Sequence, residues 1–194
     1  MNKKLIVAFS VGAVILLGVI TIFSSYNSLS GSKNSVDKAW SQVEVAYQRR
    51  ADLIPNLVAV AKEASVREQQ ILEAALEARA NAFNTDVPEG DTSALDSSQA
   101  GVTSALSNLI AISESYPELK SNENWLDLQA QIEGTENRVS VSRSDYNDMV
   151  EKYNHKVVTL PSAIWAKMFG FEKVDYFSSD TGADKAPTIT FGDN

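Results

Sequence analysis

Charged side chains occupy positions of one predicted helix where a packed seam would normally carry leucine. Within residues 125–160, Glu136 and Arg143 share a seven-residue column with Val150, and Glu133 lies in a neighbouring column. Two acids this close can perform general acid–base catalysis when a cleft desolvates one of them. Nothing in the surrounding sequence indicates such a cleft, so the pattern favours a structural or binding role.

A further charge lies in an apolar column of an earlier predicted helix. Arg50 is seven residues after Val43 and seven before Leu57. An unpaired buried charge is very costly, so a buried Arg50 needs a carboxylate partner. If the helix ends near this point instead, the guanidinium can extend to water.

These columns define a candidate buried polar network. Its members are Arg50, Asp52, Glu133, Glu136, Arg143 and Asn147. One interpretation is a satisfied network that fixes the register between helices at a cost in stability. The alternative is a ligand or ion pocket between the helices.

The residue types that metal sites and nucleophilic enzymes need are scarce. The chain has one histidine, His155, and no cysteine. A ferritin-like di-metal centre needs Glu-x-x-His pairs, but the residue three positions before His155 is Lys152. One histidine gives little support to a Ser-His-Asp site, and no phosphate-binding loop or zinc signature occurs. We therefore predict no enzymatic activity, no metal and no cofactor.

The elements that position these residues are helices. One apolar residue recurs every seven positions along the last long one: Trp125, Ile132, Val139, Tyr146, Tyr153 and Leu160. This pattern requires a helix of roughly 50 Å with one seam packed against partners. Ser121 is the expected cap of this helix.

Three more helices are predicted, over residues 28–51, 57–84 and 94–115. Asp52 can cap a new helix, and Pro55 would then lie in its first turn, where a missing N–H is harmless. We therefore expect a break or reversal at Asp52, with a kink as the alternative.

Residues 5–23 are an uncharged apolar run that follows a short basic N-terminus, residues 1–4. The run approaches the roughly 20 residues that a helix needs to cross a bilayer, which predicts an uncleaved single span in the cytoplasmic membrane. A cleaved signal peptide is the alternative, although its apolar region is shorter. Two lysines precede the run and Lys33 and Lys38 follow it, so the positive-inside bias only slightly favours a domain outside the cytoplasm.

The C-terminal end is aromatic and then polar. A short helix is predicted over residues 162–168, with Gly170 as its stop. The aromatic group comprises Trp165, Phe169, Phe171, Tyr176 and Phe177. It is interpreted as a lid over the end of the bundle or, alternatively, as a contact with lipid or a partner. Residues 178–194 are predicted to be a disordered acidic tail.

The net charge of −8 at neutral pH argues against nucleic-acid binding, because that binding neutralises phosphates with Lys and Arg. The same balance argues against a broad polybasic grip on anionic lipid.

Residues 26–177 resemble the LemA family of bacterial membrane proteins. The segments that carry the resemblance are residues 26–29, 37–43, 49–58, 77–80, 123–124, 133–138, 145–147, 153–154 and 169–171. The resemblance implies an all-α protein: one N-terminal span followed by an up-and-down four-helix bundle. It implies no established enzymatic activity and no cofactor. Two of its polar segments contain the charges described above, and we expect Arg50 to pair with Glu133 or Glu136.

The sequence thus predicts a membrane-anchored scaffold or adaptor of the cell envelope, which acts through protein partners or through further copies of itself. The alternative is a ligand-binding sensor that uses the buried polar layer, and a hydrolase using the same carboxylates is the weakest hypothesis.

Overall fold

Seven α-helices make up the described part of the chain, residues 3–178 of a computed structural model. They are α1 Lys3–Ala51, α2 Leu53–Glu63, α3 Gln69–Asn84, α4 Thr92–Ser113, α5 Pro117–Lys120, α6 Glu123–Val158 and α7 Ser162–Phe169. No strand occurs within residues 3–178, which confirms the predicted all-α class. Apart from Ser178, the predicted disordered tail lies outside the described residues.

The first two helices form one rod that is interrupted at Asp52, so the predicted break is present but the chain does not reverse there. Asp52 alone separates α1 from α2, and its backbone is close to helical, with φ −69° and ψ −10°. Pro55 lies in the first turn of α2. The N–H groups of a first turn have no partner within the helix, so the missing N–H of proline is harmless there. Ile54 and Leu57 are fully buried, so the apolar columns of α1 continue along α2 and keep it on the same core.

The chain reverses one helix later, at Ser65. This residue is left-handed, with φ +59°, and the N–H of Val66 donates to the carbonyl of Ala61 at 3.1 Å. A left-handed residue after a helix is a common stop, although it is usually Gly or Asn. The helix predicted over residues 57–84 is therefore two helices, and α3 returns antiparallel to the rod, since Arg79 near its C-terminal end contacts Asp52.

The long helix α6 runs antiparallel to the rod for most of its length. Lys156 near its C-terminal end donates to the Ser32 hydroxyl at 2.6 Å. Its cap is Asn122 and not the expected Ser121, because the Asn122 side chain accepts from the Trp125 N–H at 3.2 Å. The buried column extends from Trp125 to Tyr153, whereas Leu160 is 70% exposed because α6 ends at Val158.

The rod, α3, α4 and α6 build the up-and-down four-helix bundle that the sequence predicts. Its interior contains two apolar clusters. The distal cluster, around Leu57 and Trp125, lies among α2, α3, α4 and the first half of α6. The proximal cluster, around Trp40 and Tyr146, lies between α1 and the second half of α6. Arg50 of α1 is buried at the boundary between the two clusters.

Beyond α6 the chain turns back along the bundle. Gly170, with φ +75°, ends α7 as predicted. Residues 171–178, which we call the C-terminal segment, have no regular secondary structure and run beside α6 in the opposite direction. Val174 contacts Asn154 and Phe177 contacts Asn147, one heptad farther from the C-terminal end of α6.

Candidate functional site

A buried arginine lies where α1, α4 and α6 meet. The whole Arg50 residue is 3% exposed. Its Nη1 donates to Glu136 Oε2 at 2.9 Å and its Nη2 donates to Thr103 Oγ1 at 3.1 Å. The guanidinium carbon also lies 5.1 Å from the centre of the Tyr47 ring. The charge is thus held by one carboxylate, one hydroxyl and one aromatic face between the two apolar clusters.

A second polar centre lies one helical turn along α1. The Tyr47 hydroxyl donates to Asp96 Oδ1 at 3.0 Å, and Arg143 Nη2 donates to Asp96 Oδ2 at 3.2 Å. Burial raises the pKa of the Tyr47 phenol to about 12, with the Arg143 charge opposing the rise. The phenol therefore stays protonated at physiological pH and acts as a donor.

The structure joins some members of the candidate network and separates others. It brings Arg50 to Glu136 and places Arg143 one turn away, but Asp52 instead pairs with Arg79 at 2.7 Å on the partly exposed surface. Two residues of helix turn a side chain by about 200°, so Asp52 cannot share the direction of Arg50. Glu133 is exposed and makes no ion pair with a described residue.

Asn147, the remaining network member, binds main chain instead of charge. Its Nδ2 donates to the carbonyl of Phe177 at 3.0 Å, and its Oδ1 accepts from the Phe177 N–H at 2.9 Å. Asn154 holds Val174 in the same two-bond manner, at 2.8 and 2.9 Å. Together they form an amide clamp on the C-terminal segment.

The distance between the two asparagines of the clamp matches the distance between the two residues that they hold. Asn147 and Asn154 are seven residues apart, about 10.5 Å along a helix. Val174 and Phe177 are three residues apart, about 10 Å along an extended chain. Asn154 is not among the network residues that the sequence predicts. The sequence does place Asn154 in a polar column at seven-residue spacing with Asn147. Such a column cannot show that the side chain binds backbone atoms of another segment.

The aromatic group divides into two parts. Phe177 is buried against Trp40, whose ring is nearly parallel at 5.9 Å, and it lies under the Arg143 guanidinium at 4.8 Å. Phe169 and Phe171 instead contact Tyr26 of α1, at 5.1 and 5.9 Å between ring centres. Trp165 of α7 is half-buried, and Tyr176 of the C-terminal segment is exposed.

An open groove follows the outer side of the α1–α6 pair. It has a volume of about 510 Å³, and its described lining includes Lys38, Arg49 and Arg138 but no acid. Val45 of α1 and Val141 of α6 are half-exposed in it. A second groove of about 530 Å³ shares Arg49 and Arg138 and continues toward the distal end. We call these two grooves together the outer groove.

Within residues 3–178, no group of three or more His, Cys, Asp or Glu side chains could hold a metal ion. In the same part of the chain, α1 is the one helix long and apolar enough to cross a membrane. The arrangement thus offers surfaces for binding, and the buried charge of Arg50 is paired with the more exposed Glu136.

Comparison with known proteins gives two findings. The model of the LemA family matches residues 39–191. Two magnetosome proteins of Paramagnetospirillum magneticum, MamQ 1 and MamQ 2, are each 24% identical over 196 residues, which covers 89% of this chain and 71% of theirs. The magnetosome protein MamQ of Magnetospirillum gryphiswaldense is 24% identical over 209 residues, with 96% and 76% covered.

Proposed function

The chain belongs to the LemA family, and on that premise we propose that it is a single-pass membrane-anchored scaffold or adaptor of the bacterial cell envelope. Residues 5–23 are the anchor, and the bundle recruits protein partners. The magnetosome relatives support a role at a membrane, since their names assign them to a membrane-bounded bacterial structure. No reaction is part of the proposal, because the charges of the polar layer are held in the ion pairs Arg50–Glu136 and Arg143–Asp96.

The outer groove is the observation that carries this proposal. The part of the outer groove around Val45 and Val141 has an apolar floor and basic edges, whereas its distal part also contains Asp52, which pairs with Arg79. The basic part suits an amphipathic helix whose apolar face meets Val45 and Val141 and whose edges carry acids. Helix α6 and the rod supply the two walls, so the groove is preformed and little ordering is needed on binding. We therefore assign this face to an acidic amphipathic helix of an envelope protein.

Site-specific photo-crosslinking in intact cells tests the assignment. A photoreactive amino acid at Val141 should give adducts heavier than the chain itself, whereas the same group at the exposed, distal Gln70 should not. Exchanging Arg49 and Arg138 together for Glu should abolish the Val141 adducts. A matched exchange of the distal bases Lys62 and Arg67 should leave them unchanged.

Failure of this experiment has two clear forms. Equal adducts at Val141 and Gln70, or adducts that survive the charge reversal, would contradict a specific basic groove. Two differently tagged copies, expressed together, would show whether the crosslinked partner is a second copy of the chain. That result would indicate self-assembly and would contradict the adaptor role.

A small-molecule sensor is the second candidate, and one observation favours it. Arg50 Nε and Gln99 Oε1 are buried without a hydrogen-bond partner among the described residues. Gln99 and Tyr47 line a cavity of about 250 Å³, which Arg50 itself does not line. A small polar ligand there should raise the melting temperature of the full chain. A screen of free amino acids, repeated with Gln99→Leu, checks this; equal shifts in both proteins would exclude the cavity.

A further inference from the structure

Helix α7 lies next to the point where α1 leaves the predicted span. The span ends near Phe23, and Tyr26 follows it about 4.5 Å farther along the helix axis. The Tyr26 ring is 5.1 Å from the ring of Phe169 at the end of α7. Because α1 is unbroken between Phe23 and Tyr26, the position of α7 relative to the anchor is fixed by this contact.

The side of α7 that faces away from the bundle is apolar. Ile164 and Met168 are 60% and 59% exposed, and their spacing of four residues places them on one face of the helix. Ala166, on the opposite face, is 1% exposed and packs on the bundle. Leu160 just before α7 and Phe169 at its end are also exposed. A cluster of large apolar side chains of this kind is a mark of an interaction surface.

We propose that α7 is an interfacial helix whose exposed residues Ile164 and Met168, with the preceding Leu160, insert into the lipid headgroup region beside the α1 span. Lipid is the occupant we assign, because Phe169, next to Met168 in α7, contacts α1 within one helical turn of the end of the anchor. Lys167 of α7 is exposed and Trp165 is half-buried, and both side-chain types are favoured at the membrane–water boundary.

This contact gives the bundle a second attachment. One helix alone would leave the bundle free to rotate about the span axis, whereas α7 fixes which face of the bundle meets the membrane. The C-terminal segment begins directly after α7, so the same contact holds the start of the segment at the membrane-proximal end. The inference rests on the proposed anchor but concerns a different part of the chain.

The test uses the full-length chain in vesicles of phosphatidylcholine and phosphatidylglycerol. The chain has no cysteine, so single substitutions carry one environment-sensitive fluorophore each. The positions are Ile164→Cys and Met168→Cys on α7, with Leu17→Cys in the span and Gln70→Cys at the distal end as controls. Lipids with a nitroxide near the headgroup or deep in the acyl chain serve as quenchers.

The expected result is a depth order. Emission from positions 164 and 168 should shift to the blue and lose more intensity to the shallow nitroxide than to the deep one. Position 17 should lose more to the deep nitroxide, and position 70 should respond to neither. If position 17 is quenched while 164 and 168 are not, α7 does not contact lipid and only this inference fails.

Two other outcomes also overturn the proposal. A blue shift at 164 and 168 without quenching by lipid would mean that protein, a second copy included, covers the face. Absence of quenching at position 17 would remove the anchor itself and with it the proposed function.

Discussion

The cost of breaking the Arg50–Glu136 ion pair depends on which of the two residues is removed. Glu136 has a side chain that is 60% exposed, so water can solvate it if Arg50 is removed. Arg50 is buried and cannot be solvated if Glu136 is removed. Breaking a pair by deleting one member costs most when the other stays buried and charged.

We therefore expect Glu136→Ala to be more destabilising than Arg50→Met. The first change leaves a buried guanidinium with Thr103 as its remaining hydrogen-bond partner and should lower the free energy of unfolding by about 1–3 kcal/mol. The second inserts an apolar side chain into the column of Val43 and Leu57 and should change it by about 1 kcal/mol or less. Urea unfolding of both variants measures the difference, and the reverse order would show that Arg50 contributes net stability.

The phenol of Tyr47 predicts a loss of stability at alkaline pH. Burial raises its pKa to about 12 in the folded chain, against about 10 in the unfolded chain. The unfolded state therefore releases its proton first, and the contribution of Tyr47 is complete below pH 10 and falls between pH 10 and 12. Tyr47→Phe should flatten the decline of melting temperature over this window. Tyr176→Phe, whose ring is exposed, should retain the wild-type slope.

At the scale of elements, apolar periodicity predicts most of the helices, but it does not predict where the chain turns between them. The columns that pass through Arg50 and Leu57 lie on buried faces as expected. At Asp52 the predicted interruption is present but the predicted reversal is not, because a residue that can cap a helix and a proline in the first turn are both compatible with a helix that restarts along the same core. The true reversal at Ser65 contains neither glycine nor proline, so local sequence offered no signal for it.

The C-terminal segment was the least predictable element, because its contacts are made through backbone atoms. Its hydrogen bonds depend on two side chains of α6, Asn147 and Asn154, whose partners lie 30 and 20 residues away in sequence, respectively. A short stretch without helical or strand periodicity contains no sequence pattern from which these hydrogen bonds could be predicted. The side chain of Phe177 was recognised as apolar, but its position beside Trp40 required the fold.

Removing one half of the amide clamp should loosen the segment without unfolding the bundle. Asn154→Ala deletes both bonds to Val174, and the Val174 N–H should exchange with deuterium roughly tenfold faster or more. Exchange in the core of α6, at Tyr146 for example, should be unchanged. Asn124→Ala, at an exposed position of the same helix, is the control. Equal acceleration throughout α6 would mean that the clamp stabilises the whole bundle.

At the scale of the whole molecule, the side of the membrane on which the bundle lies decides which partners can reach it. Lysines on both sides of the span nearly balance, so the charge rule gives only a slight preference for the outside. Position in the cell must therefore be measured directly.

A cysteine at Asp91, just before α4, should react with a membrane-impermeant maleimide in cells whose cytoplasmic membrane is intact. The native chain has no cysteine, so the background is clean. Where an outer membrane is present, it is permeabilised first. Labelling only after lysis would place the bundle and its outer groove in the cytoplasm.

If residues 5–23 are the proposed anchor, the rod formed by α1 and α2 acts as a mechanical lever. From Tyr26 to Glu63 the helices extend for about 55 Å, with Asp52 as the one residue outside helical assignment. Spans change their tilt when bilayer thickness changes. A tilt of about 10° at the membrane would carry the α2–α3 turn sideways by about 10 Å at this length. The distal end of the bundle can thus convert small differences in bilayer thickness into a displacement larger than the diameter of a side chain.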